Sequence, residues 1–285
     1  MLGNHLLGLY EKALPPELTW EERLRAVTEL GFDYLEISID EKDERLARLD
    51  WTQTERGVLH RAMRETGVPI QSMCLSAHRR FPYGSADPAV RARAHEILEK
   101  AVLFAQEFGI RVIQLAGYDV YYEPSTPESL RLFEEGLRSA CEIAEKYQVM
   151  LAMEIMDTPL MSSISRYLKY KAVLPSPWFT VYPDVGNLSA WGNDTAAEIS
   201  LGRNGMVGVH LKDTLAVTED FPGKFKCVPF GSGCVDFPAC LGQLEREGYR
   251  GPYMIEMWYE PGQDWRAEIT NARKFMEEKF APAMK

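Results

Sequence analysis

Leu30-Gly31-Phe32-Asp33, Thr66-Gly67-Val68-Pro69, Phe108-Gly109-Ile110-Arg111 and Glu247-Gly248-Tyr249-Arg250 are four versions of one junction. In each, a glycine closes a helix-like segment and two to four residues later an apolar run begins. Glycine tolerates the left-handed backbone that ends many helices, so the four junctions predict helix C-caps at Gly31, Gly67, Gly109 and Gly248. A helix stop followed by an apolar run is the join of a βα module, and its recurrence means that the module is reused.

Outward from these junctions, the apolar runs predict strands at Leu6–Tyr10, Tyr34–Ile37, Ile70–Leu75, Val112–Leu115, Met150–Glu154, Phe179–Tyr182, Val207–Leu211 and Tyr253–Glu256. Helix starts lie between them. Thr19-x-x-Glu22 and Thr52-x-x-Glu55 have capping-box spacing, and Thr126-Pro127 and Asp236-x-Pro238 place proline where a missing N–H is harmless. Strands alternating with helices pair in parallel, and about eight units predict a closed (β/α)8 TIM barrel. An open doubly wound sheet is disfavoured because no Gly-x-Gly-x-x-Gly follows the first strand. No linker or low-complexity tract interrupts the chain, so residues 1–285 read as a single domain. The longest irregular stretch, Thr214–Cys234, falls after the seventh strand, on the face where a barrel carries its functional loops.

The 285 residues carry 32 basic and 42 acidic side chains, a net charge of −10. That surface repels phosphate backbones and argues against general nucleic-acid binding, so an anionic substrate needs a local basic pocket. The first residues, MLGNHLLGLYEKALPPE, lack the basic and long apolar regions of a secretory signal, and no run approaches the length of a membrane span. Five cysteines with no Cys-x-x-Cys pair fit reduced thiols, and the expectation is a soluble cytoplasmic protein.

The chemistry is carried by what ends the last four strands. Met-Leu-Ala-Met runs into Glu154, Phe-Thr-Val-Tyr-Pro into Asp184, Met-Val-Gly-Val into His210, and Tyr-Met-Ile into Glu256. Strand C-termini converge on one face of a barrel, so four donors from consecutive strands can surround one ion. Three carboxylates and an imidazole favour a divalent metal ion (Mn2+, Mg2+ or Co2+, with Zn2+ acceptable), and the absence of cysteine argues against a structural zinc. Any one of these residues alone is better read as a solvated residue or a helix cap; Asp184 also precedes a plausible turn, Val185-Gly186-Asn187. Glu36 ends an apolar strand too and is left without a role.

Longer stretches carry a resemblance. MCLSAHRRFPYGS (73–85), IQLAGYDVYY (113–122), LAMEIMD (151–157), YPDVGNLSAW (182–191), VHLKDT (209–214), VPFGSG (228–233) and GPYMIEMW (251–258) resemble the L-ribulose-5-phosphate 3-epimerase family, also called L-xylulose-5-phosphate 3-epimerases. That family is similar to the wider xylose-isomerase-like barrels and serves L-ascorbate and pentose catabolism. The resemblance runs from about Leu6 to beyond Arg273. It implies metal ligation by Glu154, Asp184, His210 and Glu256, proton transfer by Glu154 and Glu256, a sugar-phosphate substrate and a homodimer. Two positions depart from related patterns: Ser232 stands between two glycines where glutamate is common, and Asn187 stands where the non-phosphorylated ketose epimerases have a substrate-contacting histidine.

Epimerisation at C3 of a 2-ketose removes a weakly acidic C–H proton, which needs charge stabilisation beyond a positioned base. Inversion also needs proton carriers on both faces of a planar intermediate, and strands five and eight lie across the barrel mouth. For the phosphate, the sequence offers His78, Arg79 and Arg80 after strand three, Lys212 on the strand of His210, and Gly231-Ser232-Gly233 as a backbone anion nest. Arg79 or Arg80 pairing with a surface carboxylate is the plainer alternative. The competing activities are an aldose–ketose isomerase with the same kind of site, an abasic-site endonuclease, and a non-catalytic sugar-phosphate binder. Few histidines and the negative charge weigh against the endonuclease, and paired glutamates weigh against the binder.

Overall fold

The computed structural model describes residues 1–283. Eight parallel strands run in the order β6-β5-β4-β3-β2-β1-β8-β7, where β1 is Leu7–Tyr10, β2 Tyr34–Ile39, β3 Ile70–Leu75, β4 Val112–Leu115, β5 Met150–Glu154, β6 Phe179–Tyr182, β7 Val209–Leu211 and β8 Tyr253–Ile255. The seam between β6 and β7 is closed by isolated parallel bridges, Val181 with Met206 and Asp184 with His210. There the His210 N–H donates to the Pro183 carbonyl at 2.9 Å. The expected barrel is therefore the observed one, and its least regular join lies between two of the four strand-end residues.

Helices α1 (Trp20–Glu29), α2 (Asp43–Leu46), α3 (Gln53–Thr66), α4 (Pro88–Phe108), α5 (Pro127–Tyr147), α6 (Ile164–Val173), α7 (Val185–Ala190), α8 (Thr195–Gly202), α9 (Phe237–Arg246) and α10 (Trp265–Ala283) lie along the same chain. The local signals act as expected. Thr19 with Glu22 and Thr52 with Glu55 form complete capping boxes, and Thr126 and Asp236 cap helices that carry proline in the first turn. All four junction glycines have positive φ, between 70° and 79°. Helix α5 ends instead on Gln148 at φ 56°, a conformation that costs a side-chain-bearing residue more, and α6 and α8 end on Leu174 and Arg203 without a left-handed cap.

The strands are buried along their length, as expected where helices cover the outside of a barrel. On α4, Ala94, Ile97, Leu98, Ala101, Val102, Ala105 and Phe108 form the buried stripe, at the spacing of one helical face. Four strand bounds differ from the expected ones: β1 starts one residue later at Leu7, β8 stops one residue earlier at Ile255, and β7 and β2 differ by two. Strand β7 begins at Val209 because Met206 and Val207 reach only the seam contacts with Val181, and β2 continues to Ile39, which puts Glu36 inside the strand. The 214–234 stretch is irregular, with one antiparallel bridge between Leu215 and Lys224. Among the described residues no helix is long and apolar enough to cross a membrane.

Candidate metal centre and active site

Glu154 is the last residue of β5, Asp184 stands two residues past β6, His210 is the middle of β7, and Glu256 follows β8. One oxygen or nitrogen from each lies within 4.8 Å of the others, and all four residues are buried. His210 Nδ1 is the centre: it is 3.1 Å from Glu154 Oε1, 3.6 Å from Glu256 Oε2 and 3.7 Å from Asp184 Oδ2. The cap and ligand readings of Asp184 divide its carboxylate between them. Oδ1 accepts the Asn187 N–H at 2.8 Å and starts α7, while Oδ2 faces the cluster.

Small residues make the approach feasible. A Cβ on Gly208 would collide with the Tyr182 ring, which packs edge-on against His210 with centroids 4.8 Å apart. A Cβ on Gly186 would come within 2.7 Å of the Lys212 side chain. Lys212 thereby reaches the site, its Nζ 2.9 Å from both Asp184 Oδ2 and Glu256 Oε2. Despite that distance, neither oxygen receives a well-directed hydrogen bond.

The electrostatics follow from crowding. Burial raises the Glu154 carboxyl above its ordinary range, against the downward pull of His210. Burial pushes Asp184 the same way, but the Lys212 charge and His210 overcome it and hold that carboxyl low. Burial alone would lower His210; the carboxylates of Glu36 and Glu256 raise it well above the usual imidazole range. Four buried carboxylates (Glu36, Glu154, Asp184, Glu256) thus face one ammonium and one imidazole. Isolated buried charge is costly unless paired or metal-bound. Two buried carboxylate oxygens without donors, all-oxygen-and-nitrogen ligands and this surplus of negative charge fit a divalent cation.

Glu154 and Glu256 also line a cavity at the barrel mouth, together with Asn187, Lys212, Tyr10 and Trp258. Its remaining wall carries Arg79, Lys226, Lys12 and Asp157. Lys12 is already paired with Asp40 at 2.7 Å, whereas Arg79 stacks 4.6 Å from the Tyr121 ring centroid and touches Glu41 only at 3.5 Å. The Arg79 Nε has no partner. Burial, then the neighbouring Arg79 charge, hold the Lys226 ammonium below its usual range, so two cations share this end of the cavity. A larger hollow of about 1180 Å³ adjoins it between the 227–230 stretch and α10, but of the four cluster residues only Glu256 reaches it.

Other sequence candidates fall elsewhere. His78 is 4% exposed, with Nε2 3.1 Å from the Ala94 carbonyl and its ring 4.7 Å from that of Tyr83, so the structure does not bring it to the cavity. Arg80 pairs with Asp43 at 2.6 Å on the surface. The Gly231–Gly233 nest exists but holds an internal anion: Asp213 Oδ2 accepts the N–H groups of Gly231 and Gly233 at 2.8 and 2.9 Å. Ser232 is exposed and donates to the Pro229 carbonyl at 2.6 Å, away from the cavity. Asn187 lies beside the cluster, its Nδ2 donating to the Ile155 carbonyl at 2.7 Å. The sequence reading passed over two residues. Lys226 had no signal beyond its place in the long loop, and Glu36, left without a role, lies 2.9 Å from His210 Nε2.

An eight-stranded barrel with this cluster at its strand ends defines a class, and the family model described as xylose isomerase-like TIM barrel matches residues 24–279. L-ribulose-5-phosphate 3-epimerase UlaE of Escherichia coli (strain SE11) is 55% identical over 284 residues, 99% of this chain and 98% of that protein. SgbU of Escherichia coli (strain K12), provisionally named an L-ribulose-5-phosphate 3-epimerase, is 56% identical over 282 residues, 99% of each chain. The chain belongs to the L-ribulose-5-phosphate 3-epimerase family. Among solved structures, the 3-keto-D-glucoside 4-epimerase YcjR from E. coli superposes with a TM-score of 0.76 at 19% identity, covering 95% of this chain and 98% of that one, a likeness of fold.

Proposed function

We infer that this chain epimerises C3 of a pentulose 5-phosphate, interconverting L-ribulose 5-phosphate and L-xylulose 5-phosphate, as the names of its relatives indicate. The observation that carries this reading is one cavity with two kinds of lining: Glu154 and Glu256 of the His210 cluster, and the cations Arg79 and Lys226. A pentulose 5-phosphate has the matching pair of groups, a ketone with its acidic C3–H and a dianion.

At the reacting end, Glu154, Asp184, His210 and Glu256 would hold a divalent ion. When bound, such an ion supplies Lewis-acid stabilisation of the negative charge that develops on the C2 and C3 oxygens. The protein's own work is proton transfer. One of Glu154 and Glu256 removes the C3 proton and the other returns one to the opposite face, with the roles exchanged in the reverse direction. Burial raises the Glu154 carboxyl above its ordinary range, the direction that suits a group which must carry a proton. The 2.9 Å contacts of Lys212 with Asp184 and Glu256 support a role at the reacting part of the sugar instead of at its phosphate. At the far end, the Arg79 guanidinium matches phosphate oxygens in a fork and Lys226 adds a point charge. The reading keeps the enzyme in the cytoplasm with its phosphorylated substrate.

Solvent exchange tests this reading. In D2O, turnover of L-ribulose 5-phosphate should place deuterium at C3. Label confined to C1 or C2 would instead assign an aldose–ketose isomerase.

A further inference from the structure

Three polar residues on strands that contribute no ligand converge behind His210. Glu36 (β2) is fully buried, with Oε1 2.9 Å from His210 Nε2. Its Oε2 accepts the Ser72 hydroxyl (β3) at 2.6 Å and the side-chain amide of Gln114 (β4). Among the described residues no lysine or arginine pairs with this carboxylate, and its partners are a hydroxyl, an amide and the imidazole; the Gln114 amide nitrogen also lies 3.2 Å from His210 Nε2, so Glu36 is the acceptor facing that nitrogen and Gln114 the donor beside it. Meanwhile Nδ1 of the same ring faces oxygens of Glu154, Glu256 and Asp184 between 3.1 and 3.7 Å away. Without a cation, a proton on Nδ1 lets the ring pair with these carboxylates; for the ring to act as a metal ligand, Nδ1 must give up that hydrogen while Nε2 keeps its own.

We propose that Glu36, braced by Ser72 and Gln114, is the positioning residue of the metal centre: it takes the Nε2–H of His210 and so presents Nδ1 as the metal ligand. The inference rests on the metal-site reading above. An ionised carboxylate can only accept, so it selects the tautomer with hydrogen on Nε2. Its two other donors fix its plane and hence the orientation of the ring. Partners of this kind behind a ligating histidine typically alter metal affinity by about 10- to 100-fold when removed. An amide at the same position can turn its NH2 toward Nε2 and favour the opposite tautomer, which would put hydrogen on the nitrogen that must bind metal. Glu36→Gln is therefore a sharper substitution than its small change in shape suggests.

The test is metal binding by the full chain, freed of metal by chelation and titrated calorimetrically with Mn2+, and with Co2+ followed by its visible spectrum. The wild-type chain should bind one equivalent of Mn2+; absence of binding would overturn the metal-site reading itself. Glu36→Gln, with wild-type circular dichroism, should bind Mn2+ about 10- to 100-fold more weakly and shift the Co2+ bands. Wild-type affinity and spectrum in Glu36→Gln would reject the positioning role and leave the metal site standing. Should that variant not fold, Ser72→Ala, which removes the hydroxyl donated to Glu36, decides: weaker binding in the same direction is expected, and unchanged affinity overturns the proposal.

Discussion

The two halves of the barrel divide the labour. Strands β5 to β8 deliver Glu154, Asp184, His210 and Glu256, whose reactive atoms gather within 4.8 Å. Strands β1 to β4 deliver none of these ligands; they supply Glu36, Ser72 and Gln114 behind the imidazole and, in the turn after β3, Arg79 at the far end of the cavity. On the proposed reading, β5 to β8 hold the reacting atoms, β2 to β4 orient a ligand, and the phosphate contacts come from both halves, Arg79 after β3 and Lys226 in the loop after β7. A barrel permits this because every strand end opens on the same face while its neighbours stay packed. Chemistry can therefore concentrate on four strands without loss of support from the rest.

The largest expected effect breaks the first half. Glu154→Gln and Glu256→Gln each remove one proton carrier without changing shape, and each should lower kcat by about 10²–10⁴-fold. Near-wild-type turnover in either variant would remove that residue from proton transfer. Circular dichroism should show both folded, since burying a neutral amide among the other charges relieves repulsion.

The second effect lies in the other half. Arg79→Ala deletes a guanidinium whose Nε has no partner within the chain. A charged hydrogen bond to phosphate is worth about 1.5–3 kcal/mol, so KM for the phosphorylated ketose should rise by roughly 10- to 100-fold with a smaller change in kcat. If kcat falls and KM does not move, Arg79 belongs with the reacting end, and the division between the halves fails.

A third, smaller effect concerns the packing that aims His210. Gly208→Ala inserts a methyl where the Tyr182 ring lies, and Tyr182 packs on His210. Overpacking of this kind costs about 1–3 kcal/mol, seen as a lower midpoint of denaturation, and metal affinity should fall with it. Unchanged affinity would show that the ring is held by Glu36 alone.

The sequence was more transparent in one half than in the other, for a physical reason. Glu154, Asp184, His210 and Glu256 each interrupt an apolar run at its end, and that break in pattern is visible along the chain. Glu36, Ser72 and Gln114 lie within strands, and what unites them is the register of Glu36 with Ser72 and the pleat that turns all three inward. Pairing across strands is not written along a single strand. Along the sequence the apolar run Tyr34–Ile37 ends close to Glu36, but β2 runs on to Ile39, so the residue is interior and its partner is a histidine 174 positions away. The basic residues failed differently. Sequence proximity grouped His78, Arg79 and Arg80, yet the turn after β3 points one inward to α4, one into the cavity and one to the surface. The Gly231–Gly233 nest was legible as a nest, but not the fact that Asp213, one residue past Lys212, already fills it.

That misplaced histidine supplies the smallest and most local test of the supporting half. Burial pushes the His78 imidazole down to about 4, so in the folded chain it stays neutral through the range in which an exposed histidine charges. Its folded pKa lies below its unfolded one; between about pH 6.5 and 4 the unfolded chain binds the extra proton and acidification favours unfolding. One such group contributes a slope of at most about 1.4 kcal/mol per pH unit. His78→Gln keeps a donor for the Ala94 carbonyl and removes the titration, so urea denaturation at pH 7, 5.5 and 4.5 should show a shallower loss of stability than the wild type. Identical pH profiles for stability in the two proteins would mean that His78 is hydrated in solution, and the turn after β3 would then not be the rigid support that the comparison of the two halves requires.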